Sequence, residues 1–270
     1  MSPVYRLTVL IWPLAAIAQM VSPQQAVTAR LEYTGAPMKI AFSCNEEDLR
    51  QAGLSCTEKE PCPVYLELAA IAAAGGRVFV AGNIHTLSTT LYSILLMGES
   101  SARYWHEPFE RLRSGVLDGV QFFDLETGWV SGYFLHNLPR DPFLLVTTDG
   151  GASWRLRPVA GEGHVGFIDW FHFDSRTHGS LWLDRSQSGE INALYERYES
   201  MTGGESWVLR QVTSRRTHGE LPHTKSNSVL WRLSPNPAAT SFLVERFQGN
   251  RWETLGAFAI QVANCKSGEP

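Results

Sequence analysis

The stretch Thr147-Thr148-Asp149-Gly150-Gly151-Ala152-Ser153-Trp154 sets the reading of the whole chain. A strand over Phe143 to Thr147 runs into it, and another leaves it at Trp154-Arg155-Leu156. Asp149 is placed to accept backbone N–H groups two residues on, as in an Asx-turn. Gly150 and Gly151 supply positive φ without a Cβ clash. Trp154 then folds back and packs its ring beneath the hairpin. Upstream, Val120-Gln121-Phe122-Phe123 and Thr127-Gly128-Trp129-Val130-Ser131-Gly132 complete a unit of four strands.

The next segment repeats the plan. Phe167–Phe173 is a strand, and His178-Gly179-Ser180-Leu181-Trp182-Leu183 matches the Thr-Gly-Trp strand. Thr202-Gly203-Gly204-Glu205-Ser206-Trp207 then matches Asp149–Trp154 position by position. The closing residues Trp154 and Trp207 set a period of about 50 residues, the range of propeller-like arrays. Weaker copies flank these two: Leu66–Ala73, Arg77–Gly82, Leu91–Met97 and Trp105 before them, and Val229–Leu233, Phe242–Phe247 and Ala257–Val262 after. Short strands at even spacing between glycine turns, four to a repeat, predict an all-β fold. The expected architecture is a small β-propeller of four to five blades, each of about four antiparallel strands. Its repeats cover approximately 66–115, 116–160, 164–213 and 226–263, within residues 66–265, leaving a tail at 266–270. Residues 19–65 form a cysteine-containing segment that closes or caps the ring, with one short helix at Glu46–Ala52 capped by Asn45.

The pattern Thr147-x-Asp149-x-Gly151-x-Ser153-Trp154 resembles the Asp-box, or BNR repeat, of sialidases, sortilin-type receptors and photosystem II stability/assembly factor-like proteins. With Phe122-Phe123-Asp124 and Thr127–Gly132 it is most similar to the last group. The resemblance implies a propeller, and by analogy a scaffold that assists assembly or holds a partner. A degenerate copy follows at Ser200, Thr202, Gly204, Ser206 and Trp207. There a hydroxyl replaces the carboxylate and still makes the weaker turn, so Asp149 is read as a turn-former and not as a catalytic acid.

The chain begins with Arg6 and an apolar run from Leu7 to Ala18, ending in Ala16-Ile17-Ala18 before Gln19. This is the form of a signal peptide over residues 1–18 cleaved between Ala18 and Gln19, and the run is short of the roughly 20 residues of a membrane span. A secreted or periplasmic protein with no stable span after cleavage is expected. The four cysteines, Cys44, Cys56, Cys62 and Cys265, fit two disulfides, with three pairings open. If all four pair, at least one bridge joins the two ends of the chain.

A net charge of −4 with scattered Arg and Lys argues against nucleic acid. Gly161-x-Gly163-x-x-Gly166 matches a dinucleotide fingerprint on paper but precedes a strand instead of opening a helix. No G-x-S-x-G is present. Glu107, Glu110, Asp118, Asp124 and Glu126 read as solvated charges on loops and strand ends. The eight histidines are dispersed, and His218-x4-His223 lacks a third ligand, so neither metal nor cofactor is expected. The expected function is an exported, non-catalytic propeller that binds or assembles a protein or glycan partner. The alternative is a divergent sialidase-like glycoside hydrolase whose carboxylates are far apart in sequence.

Overall fold

The computed structural model describes residues 30–44, 46–99, 103–215 and 230–266. The expected leader, its cleavage point at Ala18–Gln19, the Asn45 cap and the His218–His223 pair lie outside these residues. Aromatic and branched side chains between Gly, Asn and Asp turn signals make strand the dominant regular structure of the described chain, beside one short helix.

Four antiparallel sheets follow in chain order among the described residues. The first contains β1 (Leu31–Glu32), β2 (Cys62–Ala74), β3 (Arg77–His85), β4 (Thr90–Glu99) and β5 (Tyr104–His106). Between β1 and β2 lies the helix α1 (Glu46–Gln51), whose first turn is acidic and whose last holds Arg50, as the helix dipole favours. The second sheet is β6 (Gly115–Phe122), β7 (Gly128–Leu135), β8 (Pro139–Thr147) and β9 (Arg155–Pro158). The third is β10 (Phe167–Phe173), β11 (Gly179–Asp184), β12 (Tyr195–Ser200) and β13 (Val208–Thr213). The fourth is β14 (Trp231–Pro235), β15 (Ser241–Gln248) and β16 (Arg251–Ala259). The last strand, β17 (Gln261–Cys265), returns to pair with β2.

The fold is a small β-propeller with these sheets as blades. The middle two have the expected four strands, whereas the first has six and the last three. The cause lies at the chain ends. Both β1 and β17 add to the first sheet, and Met38 takes the outer place of the last sheet through a parallel bridge to Phe258. Ala257–Val262, which reads as one strand, therefore divides at Ile260, where the chain crosses from the last sheet to the first.

Three apolar clusters join the blades. Met38, Ile40, Val64, Trp105 and Phe258 lie in the one uniting the first and last sheets. Phe79, Leu95, Leu117, Phe143 and Trp154 lie between the first and second. Trp129, Leu144, Phe173, Leu181 and Tyr198 lie between the second and third. The disulfides are Cys44–Cys265 and Cys56–Cys62. The first spans 221 residues and ties the N-terminal segment to β17.

The paired-glycine turns belong to these seams. Thr147 Oγ1 accepts from the Gly151 N–H at 2.9 Å and donates to Asp149 Oδ1 at 2.8 Å. Asp149 accepts from the Ser153 N–H at 2.9 Å, so its backbone donor lies four residues on, not two as the Asx-turn reading expects. Burial opposes ionisation, but the bonds from Ser153 and Thr147 hold the Asp149 carboxyl below its ordinary range. In the second turn Ser200 Oγ accepts from Gly204 N–H at 2.9 Å and Thr202 Oγ1 from Ser206 N–H at 2.9 Å, so a hydroxyl repeats the carboxylate's bond. Gly151 has φ 83°, and a Cβ there would stand 2.3 Å from the Phe79 ring of the preceding blade. Trp154 meets Phe79 edge-on at 5.9 Å, placing its ring between blades rather than merely under its own hairpin. We expect Asp149→Ala to lower stability by about 1–3 kcal/mol, read as a lower urea midpoint at unchanged m-value.

Candidate functional site

An open cleft of about 620 Å³ lies beside the N-terminal segment. Ile40, Phe42, Tyr92 and Val262 supply apolar surface, and Lys39, Ser43 and Arg111 a polar rim. Phe42 meets Tyr92 edge-on at 6.0 Å. Apart from Lys39, the ionisable groups around it are committed to one another. Tyr92 donates its hydroxyl to Asp48 Oδ1 at 2.6 Å, and Arg113 pairs with the same carboxylate at 3.0 Å. Burial, then the bond to Asp48, pushes the Tyr92 hydroxyl above its ordinary pKa. Arg111 makes a two-pronged pair with Glu107 at 2.8 and 2.6 Å. The disulfide Cys44–Cys265 and α1, which carries Asp48, hold this wall in place.

A second arrangement lies on the first strands of the blades. The pairing of β6 with β7 shifts between Leu117 and Gly119, and that of β10 with β11 between Ile168 and Trp170. Each shift inserts one extra residue, Asp118 and Asp169, and a bulge re-aims its side chain. Gly119 has no Cβ because one would stand 2.9 Å from Phe171 of the next blade and 2.5 Å from Ser131 Oγ. Ser131 donates to Asp118 Oδ1 at 2.6 Å. Part of Asp118 still meets solvent, yet protein atoms crowd it on almost every side. That desolvation, with the like charge of Asp169 adding to it, raises its carboxyl to about 7 in spite of the Ser131 bond. Tyr133 is pushed up to about 12, first by burial and then by the charges of Asp118 and Glu67.

The expectation that Asp118 is a solvated charge is therefore corrected, because the bulge takes it out of the simple alternation of a strand. Glu107 is also largely covered, by its pair with Arg111. Asp124 does cap a turn, accepting from the Glu126 and Thr127 N–H groups at 2.9 and 2.7 Å. The Gly161–Gly166 loop leads into β10 and borders a polar hollow of about 350 Å³. Beneath it Glu196 accepts from Arg185 at 2.5 Å, His164 at 2.8 Å and Tyr198 at 2.9 Å, a saturated structural knot. Among the described residues no three His, Cys, Asp or Glu side chains are placed to share a metal ion.

None of the ten turn residues Thr147, Asp149, Gly151, Ser153, Trp154, Ser200, Thr202, Gly204, Ser206 and Trp207 lines the cleft. The cleft residues carry no motif. The carboxyl pair does leave a signal: Leu117-Asp118 and Ile168-Asp169 are an apolar-acid pair recurring at the repeat period of about 50 residues.

No protein-family model and no curated protein matches this chain. Solved structures do. A YCF48 bound to a D1 peptide is 14% identical with a TM-score of 0.37, over 74% of this chain and 60% of that one. YCF48 from Cyanidioschyzon merolae is 11% identical with a TM-score of 0.36, over 71% of this chain and 49% of that one. A polysaccharide lyase of the ulvan lyase family is 9% identical with a TM-score of 0.42, over 76% of this chain and 54% of that one. The chain thus spans between about half and three fifths of the length of these proteins.

Proposed function

We propose that this chain is an exported, non-catalytic Asp-box propeller that holds a protein partner. The observation that carries this reading is the preformed open cleft, with an apolar floor and carboxylates already spent on structural pairs. Such a surface is suited to binding, and its acids and bases have no free role in proton transfer. Two disulfides support export, since such bridges persist in oxidising compartments. No described helix is long and apolar enough to cross a membrane. In this reading the turns at Thr147–Trp154 and Ser200–Trp207 are scaffold, and partners are met elsewhere.

The test is a photo-crosslinking residue at Ser43, on the rim, in protein added to its native extract. One discrete protein is expected in the crosslink, absent when the probe sits at Glu190 beside the polar hollow. A second reading, a glycoside hydrolase, is favoured by one observation, the carboxyl of Asp118 held near 7 beside Asp169. Hydrolysis of any member of a polysaccharide panel, lost in Asp118→Asn, would replace the first reading with this one.

A further inference from the structure

The wall of the cleft is an extended segment, bridged to β16 only at Met38, with no other neighbouring strand among the described residues. From Met38 to Cys44 burial alternates: Met38, Ile40 and Cys44 are buried, Phe42 is half-buried, and Lys39, Ala41 and Ser43 are exposed. A period of two is that of an extended strand. The segment is pinned at both ends, at Cys44 by the disulfide and at Met38 by backbone bonds with Ala257 and Ala259, each 2.8 Å. In an extended chain the N–H and C=O of alternate residues point to opposite sides. Met38 faces β16, so the backbone groups of Lys39, Ala41 and Ser43 face the other way. Among the described residues none of these groups pairs with another backbone group, and the Ala41 carbonyl accepts only from Arg111 at 3.0 Å.

A bare edge of this kind is a template for strand addition, and proteins ordinarily cover or blunt it. Here it runs along an open cleft. The charge beside it is unbalanced at one point. Arg111 and Arg113 are answered by Glu107 and Asp48, whereas the exposed Lys39 makes no ion pair among the described residues.

We infer that the Lys39–Ser43 edge receives an extended peptide as an added strand, with a carboxylate of that peptide set against Lys39. This rests on the scaffold reading above and names the partner's chemistry. Main-chain bonds to Lys39, Ala41 and Ser43 hold the peptide, its alternate side chains meet Phe42, Tyr92 and Val262, and Lys39 selects for acid.

The test uses the disulfide-bonded protein and an arrayed panel of fluorescent heptapeptides. Their alternate positions are varied among Thr, Val, Ile and Phe, and each ends in Glu with a free carboxylate. Anisotropy should show saturable binding of at least one member. N-methylation of that member at alternate residues should abolish it. Ala41→Pro removes a single edge N–H that bonds no other group among the described residues and should weaken binding about five- to tenfold, the scale of one lost hydrogen bond, whereas Ala41→Gly should not. Lys39→Glu should reverse the preference between Glu-ended and Lys-amide-ended peptides. Absence of binding across the panel, or binding indifferent to N-methylation, overturns the inference even where Ala41→Pro fails to fold. A panel that fails while the Ser43 crosslink still captures a protein removes strand addition alone. Failure of both removes the scaffold reading as well.

Discussion

Replacing Cys44 and Cys265 together by alanine is expected to lower stability by about 5 kcal/mol, and replacing Cys56 and Cys62 by only about 2. The difference follows from the length of chain each bridge closes, 221 residues against 6. In the unfolded chain the long bridge excludes many more conformations, and the dependence on length is logarithmic. Burial does not separate the two bridges, because Cys56 lies in the same core as Cys44 and Cys265. Cys44 and Cys265 are both buried in the core shared by the first and last sheets, and Cys265 sits opposite Cys62 in the β17–β2 pairing. Without the bridge, Met38–Cys44 keeps its backbone bonds to β16, the Arg111 bond to Ala41 and its side-chain packing, but loses its anchor at Cys44. Urea unfolding of both double variants, under non-reducing conditions, reads the energies. Amide exchange at Met38 and Ala259, whose N–H groups join this segment to β16, reads the local consequence, and should rise sharply in the first variant only. Equal losses in the two variants would show that loop closure does not govern the stability of this ring.

The blades were legible because their rule is local. Phe143–Trp154 and Leu194–Trp207 repeat one turn chemistry, and the bonds of Thr147, Asp149, Ser200 and Thr202 that shape that turn join residues within four positions of each other. The ends were harder to read, since Met38 pairs with Phe258 and β17 with β2 across most of the chain. The cysteines mark that the two ends meet, but nothing in the sequence marks which strand pairs with which. The cleft inherits this difficulty, drawing on residues near 40, 92, 111 and 262. Asp118 was misread for another reason. Alternation assigns inward and outward positions only while the register holds, and a single inserted residue between Leu117 and Gly119 reverses it.

That reversal has an energetic consequence that grows with pH. An aspartate in the unfolded chain ionises near 3.8, whereas Asp118 in the fold does so at about 7. The folded state therefore binds the proton more tightly. Its contribution is whole below the unfolded value, falls as pH rises from about 4, and is lost above about 7, a span on the order of 4 kcal/mol. Groups such as Glu196, Asp124 and Asp149, held below their ordinary range, work in the opposite sense and lose their contribution as pH falls. The difference between the native protein and Asp118→Asn isolates the one group. The amide keeps an oxygen for the Ser131 hydroxyl, which donates at 2.6 Å in the native protein, but carries no charge to face Asp169. Near pH 3, below the unfolded value, the two proteins should unfold at nearly the same urea concentration. By pH 8 the variant should be the more stable by a few kcal/mol. Asp169→Asn should do less, since it removes a neighbouring charge and leaves the desolvation of Asp118, the larger cause, in place. A midpoint difference that is flat from pH 4 to 8 would mean that Asp118 ionises as freely in the fold as in water, and would also withdraw the observation on which a hydrolytic role depends.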